Sequence, residues 1–154
     1  ALYDAVALGL QHIRQSRHKR RFLIVFSDGG DNESRLRLGE LTRMIEESEV
    51  TVYTIGLFDP SDPDRNPGVL RRLARLSGGQ VYLPGDMKHV AAVCRSIAAD
   101  IRSRYVIGYT PNRPGDANEF HGIEVRVRAP GRGRLEVRAR TGYRTPGPAP
   151  KGGR

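Results

Sequence analysis

The 154-residue sequence has no apolar run approaching the ~20 residues of a membrane-spanning helix. Cys94 is the single cysteine, so no internal disulfide can form and the redox compartment is left open. A free thiol set among apolar helical neighbours is expected to be buried. The histidines, His12, His18, His89 and His121, are scattered without the paired spacing of a zinc motif. The glycine pair at 29–30 is not followed by the Lys-Ser/Thr of a phosphate loop, and no strand leads into a dinucleotide-type glycine pattern. A nucleophile needs a base and a third group to orient it. No such set can be assembled, so the expectation is a protein that is not an enzyme.

Lysine is nearly missing: Lys19, Lys88 and Lys151 are all there is, and the formal net charge of +9 is carried almost wholly by arginine. That charge raises the prospect of an anionic polymer as partner. The arginines are spread along the chain, often beside acids, and the cluster Arg14, Arg17, Lys19, Arg20, Arg21 carries no interleaved aromatics for base stacking. It also follows a predicted helix, whose C-terminus favours cations. The reading is solvated surface, and nucleic acid is not the expected partner.

The chain opens at Ala1 with helical spacing already under way, Leu2, Val6, Leu10 and Ile13 sharing a face, and with no cap, signal or transit segment before it. This start is expected of a fragment whose parent continues upstream. The helix predicted to about Gln15 is followed by an apolar strand, "RFLIVFSDGGDN" at 21–32, too short to span a membrane and suited to a strand buried on both faces. From spacing alone "DGGDN" reads two ways. It is an ordinary turn, which its composition favours, or the ligand-facing end of a parallel strand, with Asp28 at that end. Ser34 is a candidate cap for a helix from Arg35 to Glu47. A strand at 50–58, a helix at Val69–Ser77 stopped by "SGG", a short strand at 80–84 and a long helix capped by Asp86 and running to Arg104 complete an alternating order. Val90, Val93, Ile97 and Ile101 mark the buried face of that last helix. The expected class is α/β, a doubly wound, mostly parallel Rossmann-like layer over residues 1–104.

From Tyr105 the pattern changes. "YVIGYTP" at 105–111 reads as a strand, and "IEVRVR" (123–128) and "LEVRAR" (135–140) alternate with period two. An antiparallel register setting Ile123 against Ala139 pairs Glu124 with Arg138 and Arg126 with Glu136. Residues 105–145 are therefore expected as a small antiparallel β appendage, with Tyr105, Tyr109 and Tyr143 packing on the sheet, and residues 146–154 as a disordered tail. The hairpin is expected to pack on the α/β layer or pair with upstream strands. The acidic loop holding Asp59, Asp62 and Asp64 lacks the glycine and terminal glutamate of a calcium loop and reads as a rigid proline turn.

Taken in order, "FLIVFSDGGDN", "VTVYTIGLF", "VLRRLARLSGGQVYLP" and the helix after them resemble a von Willebrand factor A domain. "YVIGYTP", "TGYRTP" and the opening "ALYDAV" look more specifically like a bacterial, acidobacterial-type subfamily. The resemblance implies protein recognition through a metal-ion-dependent adhesion site, built in the family from an Asp-x-Ser-x-Ser loop, a Thr and an Asp. Asp28 matches that last Asp, and Mg²⁺ suits such an oxygen site. The other elements would lie upstream of Ala1, so Mg²⁺ is expected only in an intact parent. Asp31 reads either as a support for that site or as a turn residue favouring the next helix, and the second is preferred. The resemblance also implies a protein ligand and a secreted or cell-envelope setting. The rival readings are a scaffold module without metal function and a basic binder of anionic polymers. Oligomeric state is not legible.

Overall fold

The computed structural model describes residues 1–57, 61, 63–112, 116–131, 133 and 135–145. The expected tail at 146–154 and the loop residues Asp59 and Asp62 lie outside them. The architecture is mixed α/β, with a three-stranded parallel sheet and a separate two-stranded antiparallel sheet.

α1 (Leu2–Arg14) leads to β1 (Arg21–Ser27), α2 (Leu38–Glu47), β2 (Val50–Gly56), α3 (Pro67–Ser77), β3 (Val81–Tyr82) and α4 (Val90–Ser103). β1 and β2 run parallel in unbroken register from Arg21 opposite Val50 to Ser27 opposite Gly56. β3 adds only two residues to the far side of β2. Alternation along the strands divides the core in two. Val25, Val50 and Val52 pack with Val6, Ala7 and Leu10 of α1, Leu41 and Ile45 of α2, and Val69 and Leu73 of α3. Tyr53 and Ile55 turn the other way and meet Ile97 of α4, with Phe22, Val93 and Ile101 at the margin. Helices therefore cover both faces, and the first face carries most of the buried apolar surface.

The helix ends follow local chemistry, with two departures from expectation. α2 starts at Leu38 rather than Arg35, and Ser34 is not its cap. The Asp4 carboxylate takes the amides of Arg35 and Leu36 at 2.9 and 3.0 Å, and Arg37 has an extended backbone at φ −90° and ψ 153°, so helical geometry begins only after it. Glu40 closes the true start by accepting from Arg37 N at 2.8 Å. α3 starts earlier than Val69, because Asn66 caps it and Pro67 occupies a first-turn position where no N–H is needed. It stops at Gly78 in the left-handed region, as "SGG" implies. Asp86 accepts from Lys88 N at 2.9 Å and opens a 3-10 turn that runs into α4. Cys94 is exposed, not buried, because it lies beside and not within the stripe of Val93, Ile97 and Ile101.

The appendage differs more. Residues 105–111 form no strand, and Tyr105 is 92% exposed, with Val106, Ile107 and Tyr109 also exposed. Tyr105 is thus not a sheet-packing residue, whereas Tyr143 lies in a strand, stacked on His121 and edge-on to Tyr109. Segments 123–128 and 135–140 form no ladder. The pairing sits at the base of the predicted hairpin, between β4 (Phe120–Gly122) and β5 (Gly142–Arg144), and Ile123 N extends it to Thr141 O at 2.9 Å. Ile123 thus faces Thr141 and not Ala139. The offset of two residues keeps the facing pattern that the alternation requires. Two contacts explain the shift. Arg138 is drawn onto Asp100 of α4 at 2.8 Å, and Arg126 folds back on Glu124 of its own segment at 2.8 Å. The expected cross-strand pairs are consequently not formed.

Leu73 is fully buried at the centre of the larger core. Leu73→Ala is expected to cost about 2–5 kcal/mol, while Tyr105→Ala stays within about 0.5 kcal/mol of wild type. Urea unfolding of both variants checks the burial assignment.

Candidate functional site

The candidate site is the loop that continues β1. The β1–β2 ladder ends at Ser27, and the chain must then leave the sheet beside the residues that lead into α3. Gly29 has φ +85°, and a Cβ there would lie 2.1 Å from the Asn66 carbonyl oxygen. At Gly30 a Cβ would lie 2.7 Å from the Asp64 carbonyl oxygen. The two glycines are needed because the 64–66 backbone lies directly on the loop. Asn66 N donates to the Asp28 carbonyl at 3.0 Å and ties the two segments together.

Asp28 is half-buried at the carboxyl end of β1. Its Oδ1 accepts from Gly30 N at 3.0 Å and from Ser27 Oγ at 3.3 Å, and Ser27 Oγ accepts from Gly29 N at 3.0 Å. Among the described residues no hydrogen bond reaches Oδ2. The carboxylate is thus oriented through one oxygen and has acceptor capacity left on the other.

Asp31, three residues on, does something different. Its side chain is 4% exposed and accepts from Leu2 N at 2.6 Å, Ser34 Oγ at 2.7 Å and the Ala1 amino group at 3.0 Å. Burial opposes its charged form, but Ser34, the amino group and Leu2 N outweigh that and hold its carboxyl below the usual range. Asp31 therefore serves the start of α1, not the helix that follows it. Asp4 returns the contact by holding the Arg35 and Leu36 amides. The loop and the first turn of α1 are locked by two carboxylates pointing in opposite directions.

The described residues bring together no three His, Cys, Asp or Glu side chains as a metal-ligand group. One oriented carboxylate fits one position of a Mg²⁺ shell, which is near-octahedral. The described residues do not make a Mg²⁺ site on their own.

Two carboxylates that sequence reasoning missed, Asp100 on α4 and Glu46 on α2, receive arginines of the C-terminal region. Asp100 lies on α4 between Ile97 and Ile101. It accepts from the Tyr53 hydroxyl, receives Arg138 at 2.8 Å, and has Arg104 at 3.5 Å. Burial opposes its ionisation, and the Tyr53 hydroxyl, Arg138 and Arg104 together overcome this and hold its carboxyl below the ordinary range. Burial, reinforced by the Asp100 bond, pushes the Tyr53 hydroxyl up to about 12. Glu46 receives Arg144 at 2.6 Å, and its carbonyl accepts from Arg140 at 2.7 Å. The available signal was position: Asp100 falls three residues after Ile97 on an apolar helix face, where a carboxylate requires a partner. With Arg21–Glu49 and Arg126–Glu124, these ion pairs engage five arginines among the described residues.

Comparison with known proteins gives little. No family profile and no curated protein matches the chain. Among solved structures, an uncharacterized membrane spanning protein from Vibrio fischeri is similar at 19% identity and a TM-score of 0.46, over 64% of this chain and 55% of that one. A likeness at that level bears on neither function nor membership of a family. No helix among the described residues is long and apolar enough to cross a membrane.

Asp31→Ala is expected to lower stability by about 1–2 kcal/mol, as for the loss of a helix cap, and Asp28→Ala by less; urea midpoints rank the two. The depressed Asp100 pKa stabilises the fold above the unfolded carboxylate value, near ~4, and that contribution is lost as pH falls through the lower folded value. The stability gap between wild type and Asp100→Asn is therefore expected to be widest at neutral pH and to close on acidification, as read by urea titrations across that range.

Proposed function

We propose that the chain belongs to a protein-recognition module whose contact point is the loop after β1, with Asp28 as the residue that meets the partner. In this reading the α/β layer is the doubly wound, Rossmann-like part of a von Willebrand A-type fold. The parallel β1–β2–β3 order and helices on both faces support it. The observation that carries the functional reading is the Asp28 carboxylate. It stands at the end of a parallel strand, where α/β sheets bind ligands, oriented through Oδ1 and unbonded at Oδ2 by any described residue. A divalent cation held there in an intact parent would present open positions to a carboxylate of the partner. Asp31 and Asp4 are engaged at the α1 junction and are not counted towards the site. The scaffold reading and the anionic-polymer reading have no comparable oriented and unspent group behind them.

Mn²⁺ is a paramagnetic probe of weak oxygen sites, and amide resonances report where it dwells. Titrated into the chain, Mn²⁺ is expected to broaden Ser27 to Gly30 first, and Asp28→Asn is expected to abolish that pattern. Broadening centred elsewhere, or unchanged in the variant, removes Asp28 from the role.

A further inference from the structure

A cavity of about 320 Å³ lies between the end of α3, the start of β3 and the 137–141 segment. Its walls are held by specific bonds. The left-handed turn at Gly78 lets the 139–140 backbone lie directly on it, where a Cβ would come within 2.5 Å of Arg140 N. Gly79 N turns back onto the Ala74 carbonyl at 2.8 Å, and Thr141 N reaches the Leu76 carbonyl at 3.4 Å. Arg104 donates to the Gly78 carbonyl. These bonds occupy carbonyls that would otherwise make the C-terminus of α3 negative.

Positive charge is what the cavity presents. Arg71, Arg75 and Arg138 line it, beside the apolar Ala74, Val81 and Val137. Arg138 is fixed there by Asp100 at 2.8 Å and by the Gln80 side chain at 2.5 Å, so its charge is balanced. Arg71 and Arg75 are exposed and stand one turn apart on α3, where like charges repel. Among the described residues neither has an acidic partner. Asp100 offers none, being engaged by Arg138, Arg104 and the Tyr53 hydroxyl. Thr141 borders the same cavity, and its buried hydroxyl has no hydrogen-bond partner among the described residues.

We propose that this cavity binds a small organic phosphate monoester, the phosphate bridging Arg71 and Arg75 and the organic body lying on Ala74, Val81 and Val137. Guanidinium forks match phosphate oxygens in bidentate geometry. A phosphate monoester carries about −1.5 to −2 at neutral pH, which balances two uncompensated guanidiniums, whereas a single carboxylate balances one. The volume is at the small end of ligand pockets, which run from about 300 to 1,000 Å³, so the organic body is small. All the walls come from residues 71–141, and β3 stands at the other end of the strand order from β1, so the site is independent of the loop that carries Asp28.

Amide resonances of the full chain, titrated separately with phenyl phosphate, inorganic phosphate and benzoate, test this. In wild type, phenyl phosphate is expected to shift Gly79, Gln80, Val81 and Thr141 to saturation. It is expected to bind more tightly than inorganic phosphate, which cannot use the apolar wall, and than benzoate, which carries one charge. Arg71→Gln with Arg75→Gln is expected to weaken phenyl phosphate about tenfold or more. Arg72→Gln changes a charge on the same helix outside the cavity, and it is expected to bind as wild type does. All three substituted side chains are exposed, so the circular dichroism of each variant is expected to match wild type. Phenyl phosphate that leaves these four amides unmoved in wild type overturns the proposal. So do benzoate binding as tightly as phenyl phosphate, and a loss in Arg72→Gln equal to that in the double variant.

Discussion

The parallel register of β1 against β2 is the constraint on which the remaining features depend. It runs unbroken for the whole of β1, and it ends at Ser27. That ending places Asp28 at the carboxyl rim and brings the 64–66 backbone down onto the loop, which in turn demands Gly29 and Gly30. The same ladder settles which peptide groups of β1 are consumed and which are left facing outward. Loop geometry and carboxylate orientation are thus consequences of one pairing.

Around that ladder, charge is used for joining as much as for solvation. Asp31 and Asp4 bind the loop to the first turn of α1, each accepting amides from the other's segment. Asp100 and Glu46 receive Arg138 and Arg144 from the C-terminal region and so dock it onto the α/β layer. Apolar contact contributes less there, since Val127, Leu135 and Val137 remain exposed. Buried carboxylates in such pairs stabilise only while their partners are present, because removing one side strands the other.

Legibility in the sequence followed the strength of local signals. The helical stripes of α1, α3 and α4 and the β-branched run of β2 were readable, because period and composition agree with the packing that resulted. The start of α2 was not, because Asp4, some thirty residues earlier, fastens the 35–36 backbone to α1 and Arg37 is extended before the helix begins. The hairpin was found in outline but misplaced, since tertiary partners outside it take Arg138. Residues 105–111 have strong strand composition and no strand, since they pair with neither sheet and their side chains stay exposed. At the candidate site, Asp28 was placed correctly at a strand end. The role of Asp31 could not be seen, because its partners Leu2 and Ser34 become neighbours only through the fold.

The central claim is that the Asp28 carboxylate faces outward from the rim and offers an oxygen to a bound cation. Anomalous diffraction from crystals of the chain soaked in Mn²⁺ addresses it most directly. The account predicts a peak at coordination distance from Asp28 Oδ2, completed by water or by a carboxylate from a neighbouring molecule. A structure in which Oδ2 is turned inward against packed side chains, or in which the strongest peak lies away from the loop after β1, would contradict it.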